Sequence, residues 1–423
     1  MADRMSAWNE AQVRAEFPAL SIRDDGVARI YADAPGGTQV VERALLRMRE
    51  ALVDFCANEG GAFRTSRATD AAVLRSHQVA ATLLGADADE VVFGLSTTHL
   101  LFHFSRMISA DWVPGDEIVL SRMDHEANVS PWLIVAKERG VTVRWLEFDA
   151  ATYRYRYDTL STLIGARTRL VACNHASNFL GTINDVRTIV AAGRAVGAVT
   201  VVDAVQSVAH LAIDVRAIDC DLLATSPYKY FGPHAGLLYV RRELAYRLEP
   251  LKVRPCSSEM PHRHEQGTPS FEAQLATVGA IEHVAWLGER FGAAAADASL
   301  RQRIIAGYAA SARHEARLSE QFLAGIRAIP SIRLFGIADP GCIDERVPTF
   351  SLRVGAIEQR KVAQALADRN VFVWDGSFYA YEVAGTLGVR DDGGVVRIGF
   401  AHYNTIDEVN RIVDGLREIA AAG

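Results

Sequence analysis

Between about residues 40 and 240, short apolar runs alternate with longer helical stretches, and this alternation constrains the fold more than any other property of the chain. Helical patterns over Val41–Ala57 and Ala71–Leu84 precede Glu90-Val-Val-Phe93, and Thr97–Ile108 precedes Glu117-Ile-Val-Leu-Ser121. An amphipathic run to Arg139 leads into Val141-Thr-Val-Arg-Trp-Leu146. Further apolar runs are Arg169-Leu-Val-Ala-Cys173, Val199-Thr-Val-Val-Asp203, Cys220-Asp-Leu-Leu-Ala-Thr225 and Gly236-Leu-Leu-Tyr-Val240. Such strands, separated by helices, belong to βαβ units whose sheet is covered on both faces. The pattern predicts an α/β fold around a mostly parallel sheet. In such sheets, ligands bind at the carboxyl ends of the strands.

Past residue 270 the texture changes. Helical runs over Phe271–Phe291 and Leu300–Ala328 lead into Ser331-Ile-Arg-Leu-Phe335, Thr349-Phe-Ser-Leu-Arg353, Val371-Phe-Val-Trp374 and Val395-Val-Arg-Ile-Gly-Phe400. A final helix from Thr405 to about Ala420 starts with capping and acidic residues. This reads as a smaller α+β lobe. A chain of 423 residues supplies enough core for two lobes.

The remaining composition mostly excludes. A net charge of -6 without long runs of one sign gives no reason to expect nucleic acid or an anionic membrane surface. No apolar stretch has the length of a transmembrane helix, and the first residues are polar rather than signal-like. Five scattered cysteines without CxxC spacing argue against a disulfide framework or a zinc site and fit a reducing cytoplasm. The expectation is a cytoplasmic protein with no membrane, nucleic-acid or metal partner.

The residues that carry chemistry sit at the predicted strand ends. Gly94-Leu-Ser-Thr-Thr98 closes a strand and opens a helix; Ser96, Thr97 and Thr98 there either bind phosphate or simply cap the helix. His125, in Asp124-His-Glu-Ala-Asn128, is either a ring to lie on an aromatic ligand or a structural histidine. Asn178, in Asn174-His-Ala-Ser-Asn-Phe-Leu-Gly-Thr182, sits in a strand-end segment that loop structure alone would also explain. Asp203 ends an apolar strand, where a carboxylate is costly to bury unless it is paired or hydrogen-bonded. A protonated pyridine nitrogen is such a partner. Gln206 lies three residues on. Lys229, in Ser226-Pro-Tyr-Lys, falls between two apolar strands, and desolvation there would lower its pKa and free its lone pair for attack on a carbonyl.

Taken in order, these motifs resemble the class V aminotransferase family of fold-type I pyridoxal-phosphate enzymes, and within it the cysteine desulfurase branch. The resemblance runs from Tyr31-Ala-Asp-Ala-Pro through Ser96-Thr-Thr, Asp-His-Glu-Ala-Asn, Ser177-Asn-Phe-Leu-Gly-Thr, Val202-Asp-Ala-Val-Gln-Ser and Ser226-Pro-Tyr-Lys to Gly267-Thr-Pro and Arg397-Ile-Gly-Phe-Ala-His-Tyr-Asn-Thr405. It implies a large domain over residues 31–270 with a mostly parallel seven-stranded sheet. It also implies a smaller α+β domain over 271–423 and an N-terminal segment, 1–30, packing with that smaller domain. The implied cofactor is pyridoxal 5′-phosphate, joined to Lys229 as a Schiff base. Asp203 would face its ring nitrogen and His125 its ring face, with Gln206 and Asn178 at its 3-oxygen or the substrate. Thr97 and Ser226, with Ser96 and Thr98 beside them, would hold the phosphate, and Tyr228 would lie next to the cofactor. Thr268 would reach the phosphate of a neighbouring subunit, which implies a homodimer with shared sites. Arg397 would grip the α-carboxylate of a small amino acid, a task suited to a bidentate guanidinium.

Two departures qualify the activity. Tyr228 stands where the desulfurase branch commonly has histidine, and Val373-Trp-Asp-Gly-Ser-Phe-Tyr-Ala-Tyr-Glu382 stands where it carries the sulfur-accepting cysteine. No cysteine follows Cys342, and Tyr379 lies nearest the expected position. A phenol with a pKa of about 10 does not replace a thiolate. The expected activity is therefore a lyase-like one in which Lys229 removes the Cα proton and a β-substituent leaves without an enzyme persulfide. Transamination, epimerisation or replacement are the alternatives, and a silent cofactor-binding partner protein is the rival of another class. Arg64, Gly36, Gly37, Trp374 and Tyr379 are either pocket-shaping residues or plain loop and core residues.

Overall fold

Every residue of Val199–Asp203 is buried, which only a strand covered on both faces permits. The computed structural model, which describes residues 7–422, places this strand at the middle of a seven-stranded sheet. Its strands are β1 (Val91–Gly94), β2 (Glu117–Ser121), β3 (Thr142–Leu146), β4 (Thr168–Asn174), β5 (Val199–Asp203), β6 (Leu222–Thr225) and β7 (Gly236–Val240). Across the sheet they run β1-β7-β6-β5-β4-β2-β3. Pairings from β6 through β3 are parallel, and β7 is antiparallel to both its neighbours. The reason is the short connection over 226–235, which cannot make a crossover and so turns the chain straight back.

Helices α1 (Glu42–Val53), α2 (Arg64–Leu84), α3 (Thr97–Ile108), α4 (Ser130–Arg139), α5 (Val186–Ala195), α6 (Phe271–Phe291) and α7 (Leu300–Arg327) surround this sheet. Alternate residues of one strand serve the two faces. Ile118 and Leu120 pack in a cluster with Leu101 of α3 and Trp132 of α4. Val119 packs on the other side in a cluster containing Leu83 of α2 and Leu275 of α6.

The smaller lobe holds an antiparallel sheet of β8 (Ile332–Phe335), β9 (Thr349–Val354), β10 (Trp374–Gly376) and β11 (Val395–Gly399), in the order β8-β9-β11-β10. Helices α8 (Gln359–Ala367) and α9 (Ile406–Ala422) pack on it, and Phe322, Phe350, Phe400 and Ile412 share its core. Helix α7 joins the two lobes: Ile304 and Tyr308 lie in the large cluster, Leu318 and Phe322 in the small one. The N-terminal segment touches both. Phe17 meets Phe231 edge-on, and Arg14 binds the carbonyl of Tyr403 and the carboxylate of Glu408. Among the described residues, no helix is long and apolar enough to cross a membrane, and no cluster of three or more His, Cys, Asp or Glu is placed to hold a metal ion.

Two elements differ from the sequence expectation. Helix α2 begins at Arg64, not at Ala71. Its first turns bury Ser66 and Thr69, whose hydroxyls bind the carbonyls of Asn58, Phe55 and Ala57. A buried face made of small polar residues leaves no apolar period to read. The run 371–374 is also not one strand. Val371–Phe372 pairs with Ile30–Tyr31, and Trp374 starts β10, opposite Arg397 of β11.

Candidate active site

Strands β4, β5 and β6 end side by side, and the chain leaving each end supplies polar groups to one cavity of about 660 Å³. Lys229, Asp203, His125, Asn178, Gln206, Thr97, Thr98, Ser226, Tyr228, Arg397, Gly36 and Tyr379 all line it.

Lys229 sits in the tight turn Pro227–Lys229 between β6 and β7 and is 8% exposed. Its Nζ donates to the carbonyl of Gly36 at 3.0 Å and to that of Pro35. Burial, helped by the Arg397 guanidinium, brings its pKa down to about 7. About half the amines are then neutral at physiological pH. In cofactor-free protein, reductive methylation of Lys229 by formaldehyde should reach half its maximal rate at about pH 7, where ordinary lysines remain protonated. Peptide mapping checks this, and a midpoint near pH 10 would rule out the amine as a base at neutral pH. The sign for stability follows. Between about pH 7 and the ordinary lysine value the unfolded chain holds the proton that the folded protein has released, so the cofactor-free fold gains stability as pH rises across that window.

Asp203 closes β5 and is also buried. Its carboxylate accepts one hydrogen bond, from Val205 N–H at 2.8 Å, and no cation among the described residues forms an ion pair with it. Burial raises its pKa to about 6. Behind it, Asp124 accepts from Asn128 at 2.7 Å and from the Ser121 hydroxyl, and burial with Asp203 nearby pushes its carboxyl well above the ordinary range. His125 is held down to about 4 by burial and the positive charges of Lys229 and Arg397, so its ring is neutral. Its Nδ1 accepts from Ala127 N–H at 3.0 Å.

At the start of α3, Ser96 caps the helix by accepting from His99 N–H, and Thr97 and Thr98 of the first turn line the cavity. The Thr97 and Ser226 hydroxyls lie 2.5 Å apart. The close packing of this turn depends on Gly236, where a Cβ would come within 2.3 Å of the Ser96 carbonyl carbon. Gln206 donates to the Pro35 carbonyl at 2.9 Å. The Tyr228 ring stacks on His234 with centroids 4.8 Å apart, and Lys229 Nζ lies 4.7 Å from its centroid.

Arg397, on β11, is 4% exposed. One terminal nitrogen pairs with Asp33 at 3.1 Å, the other donates to the Asn178 carbonyl at 3.2 Å, and its buried Nε is without a partner. The guanidinium lies 4.1 Å from the centroid of Phe378. Phe378 and Tyr379 are consecutive non-glycine residues at φ 56°. Left-handed backbone of this kind costs about 1–3 kcal/mol per residue. Asn178 Nδ2 donating to the Phe378 carbonyl, and Glu126 N–H donating to that of Tyr379, hold the pair in place.

Arg64 and Ser96 do not line the cavity, and Thr268, expected at the phosphate of a neighbouring subunit, is off it as well. Arg64 is exposed in the first turn of α2, where the loop over 58–63 passes into helix. The Ser96 side chain is spent on the helix cap. Thr268 is exposed on a second cavity beside His103 and His264. The residue that the sequence reading missed is Asp33. Its sequence signal is an acid directly after the apolar Ile30-Tyr-Ala run; its partner Arg397 lies at the far end of the chain. No cysteine among the described residues lines the cavity.

Comparison with known proteins gives consistent results. A family model described as aminotransferase class-V matches residues 30–412. The aminotransferase-like protein FGM3 of Gibberella zeae is 32% identical, with 98% of this chain and 99% of that protein aligned. A cysteine desulfurase of Pectobacterium carotovorum subsp. carotovorum is 30% identical, covering 96% of this chain and 97% of its own. Among solved structures, the Escherichia coli cysteine desulfurase CsdA superimposes with a TM-score of 0.82 at 25% identity over 99% of both chains. The apo cysteine desulfurase of Thermococcus onnurineus NA1 has the same fold, with a TM-score of 0.87 at 24% identity.

Proposed function

Because the chain belongs to the class-V aminotransferase family, it is a fold-type I enzyme dependent on pyridoxal 5′-phosphate and similar to cysteine desulfurases, and we propose that it eliminates the β-substituent of a cysteine-like amino acid without storing sulfur on the protein. One observation carries this reading. The cavity joins the Lys229 amine to the Arg397 guanidinium, and no cysteine among the described residues lines it.

The residues fit the cofactor. The buried, cation-free Asp203 carboxylate matches a protonated ring nitrogen. The neutral His125 ring matches the ring face, and the first turn of α3 with Thr97, Thr98 and Ser226 matches a phosphate. Asn178, with a buried Oδ1 lacking a hydrogen-bond partner, has capacity left for a ligand. Gln206 and Tyr228 complete that wall. Bound there, the cofactor supplies an electron sink that weakens the Cα–H bond of an amino acid.

The protein's own groups do the rest. Arg397 binds the α-carboxylate, and its ion pair with Asp33 fixes the guanidinium plane. Lys229 Nζ, near neutral pH a ready base, takes the Cα proton. In the substrate, the Cα–H pair becomes a Cα–Cβ double bond as the Cβ–S bond breaks, and sulfur leaves with that bond's pair and is protonated. With one water the balance is a thiol or sulfide, pyruvate and ammonium. Tyr379 and Trp374 line the exposed side of the same cavity.

In the same reading, Thr268, exposed and off its own cavity, serves the phosphate site of a second copy, making a homodimer. The cofactor-binding domain is residues 31–270 and the smaller domain 271–423, although α6 and the first half of α7 pack into the larger core. Residues 1–6 of the N-terminal segment lie outside the described residues.

The test is incubation with L-cysteine and its S-substituted derivatives. Pyruvate and thiol should appear in equal amounts with no sulfur added to the protein by mass. Cys342→Ser should leave the rate unchanged, since that thiol lies in a surface turn away from the cavity. Protein-bound persulfide, or loss of turnover in a folded Cys342→Ser enzyme, would defeat the thiol-free reading.

A further inference from the structure

Trp374, Phe378 and Tyr379 surround the place where Arg397 presents its guanidinium. Trp374 pairs with Arg397 across β10 and β11, Phe378 lies beneath the guanidinium, and the Tyr379 ring is 5.5 Å from that of His125. Large rings of this kind are ordinarily buried, yet Tyr379 is 73% and Trp374 61% exposed. Both face a cavity rather than a flat surface. We propose that these three side chains form a subsite for a bulky apolar substituent on the substrate sulfur, so that the enzyme takes S-conjugates of cysteine rather than free cysteine. The inference rests on the elimination reading above.

Three observations support it. First, an amino acid with its carboxylate on Arg397 and its Cα proton at Lys229 has only its β-substituent left to place, and the wall left at the mouth is aromatic. A free thiol would leave those rings in water, whereas an aromatic or long alkyl group would cover them. Second, the neighbouring acids are already engaged: Glu126 accepts from the Ser130 hydroxyl, and Glu382 pairs with Arg122. The wall therefore offers little to a cationic substituent. Third, the two rings are aimed by backbone that is strained and held from outside. Phe378 and Tyr379 are left-handed, and their carbonyls are tied to Asn178 and Glu126. A loop that only needed to close over a small substrate would not require two consecutive bulky residues in that conformation.

The test uses calorimetry on the Lys229→Ala protein supplied with cofactor, in which turnover is slow enough for binding to be read. S-benzyl-L-cysteine should bind at least about tenfold more tightly than S-methyl-L-cysteine, from the extra apolar area covered. Tyr379→Ala should erase most of that preference and Tyr379→Phe should keep it. Exposure of the side chain makes both variants compatible with folding, and a thermal melt checks it. Equal affinities, a preference that survives the Trp374→Ala/Tyr379→Ala double variant, or no binding of either compound would overturn the subsite. Assays of the unmodified enzyme separate the two claims. Tyr379-dependent binding without release of benzyl thiol and pyruvate would sink elimination and leave the subsite standing. Release of thiol from both conjugates without a binding preference would do the reverse.

Discussion

Lys229→Ala is expected to slow turnover by about a thousandfold to ten-thousandfold, the range that a positioned acid–base group supplies, and to abolish the visible absorbance that depends on the lysine amine. In activation free energy that is about 4–5.5 kcal/mol. The expectation is large because no other group near the reacting carbon has the right proton affinity. His125 is neutral and held down to about 4, Tyr228 is pushed upward by burial, and Asp203 lines the part of the cavity assigned to the cofactor ring nitrogen rather than to the reacting carbon. The substitution also frees the Pro35 and Gly36 carbonyls from their donor. A melting curve must therefore accompany the kinetics. Partial recovery with a small exogenous amine would place the loss on proton transfer rather than on shape. A folded variant with more than about a tenth of the original rate would refute the assignment.

Asp203→Asn is expected to lower kcat by about a hundredfold to a thousandfold, comparable with the removal of one aimed electrostatic group from an active site. The change is nearly isosteric, and asparagine can still accept the Val205 N–H through its carbonyl oxygen. Only the charge is lost. Stability without cofactor should hold or rise, since an unpaired buried carboxylate is removed. The stabilisation conferred by added cofactor, read as the shift in melting temperature, should shrink. Unchanged kcat together with an unchanged cofactor-dependent shift would rule out the role given to Asp203. Asp124 makes a useful contrast. It is just as buried, but bonded on both oxygens and away from the cavity lining, so its loss should show in folding first.

Much of the larger lobe could be read from sequence because its strands are uninterrupted apolar runs. Val199–Asp203 and Gly236–Val240 have the bounds that their composition implied, and Thr97–Ile108 did as well. Site residues at strand ends were legible for the same reason, since a polar residue closing such a run stands out. Three things were hidden. Arg64 looked like a loop residue because the buried face of its helix is made of serine and threonine rather than leucine. The run 371–374 looked like one strand because a change of partner at Val373 leaves no mark on hydropathy. Asp33 could not be linked to Arg397 because no local periodicity spans 364 residues. The aromatic mouth was visible as residues but not as a surface, since the backbone sign at Phe378 and Tyr379 is set by contacts from Asn178 and Glu126.

The pairing of Asp33 with Arg397, and of Ile30–Tyr31 with Val371–Phe372, ties the first part of the chain to the last part across the site. This has a consequence for the order of events during synthesis. A ribosome that has released residues up to about 300 has made Lys229, Asp203, His125 and the phosphate turn, but β11 does not yet exist. The N-terminal loop carrying Asp33 must wait for its partner, and contacts so distant in sequence form late. The residues assigned to the cofactor are therefore synthesised well before the arginine assigned to the amino-acid carboxylate.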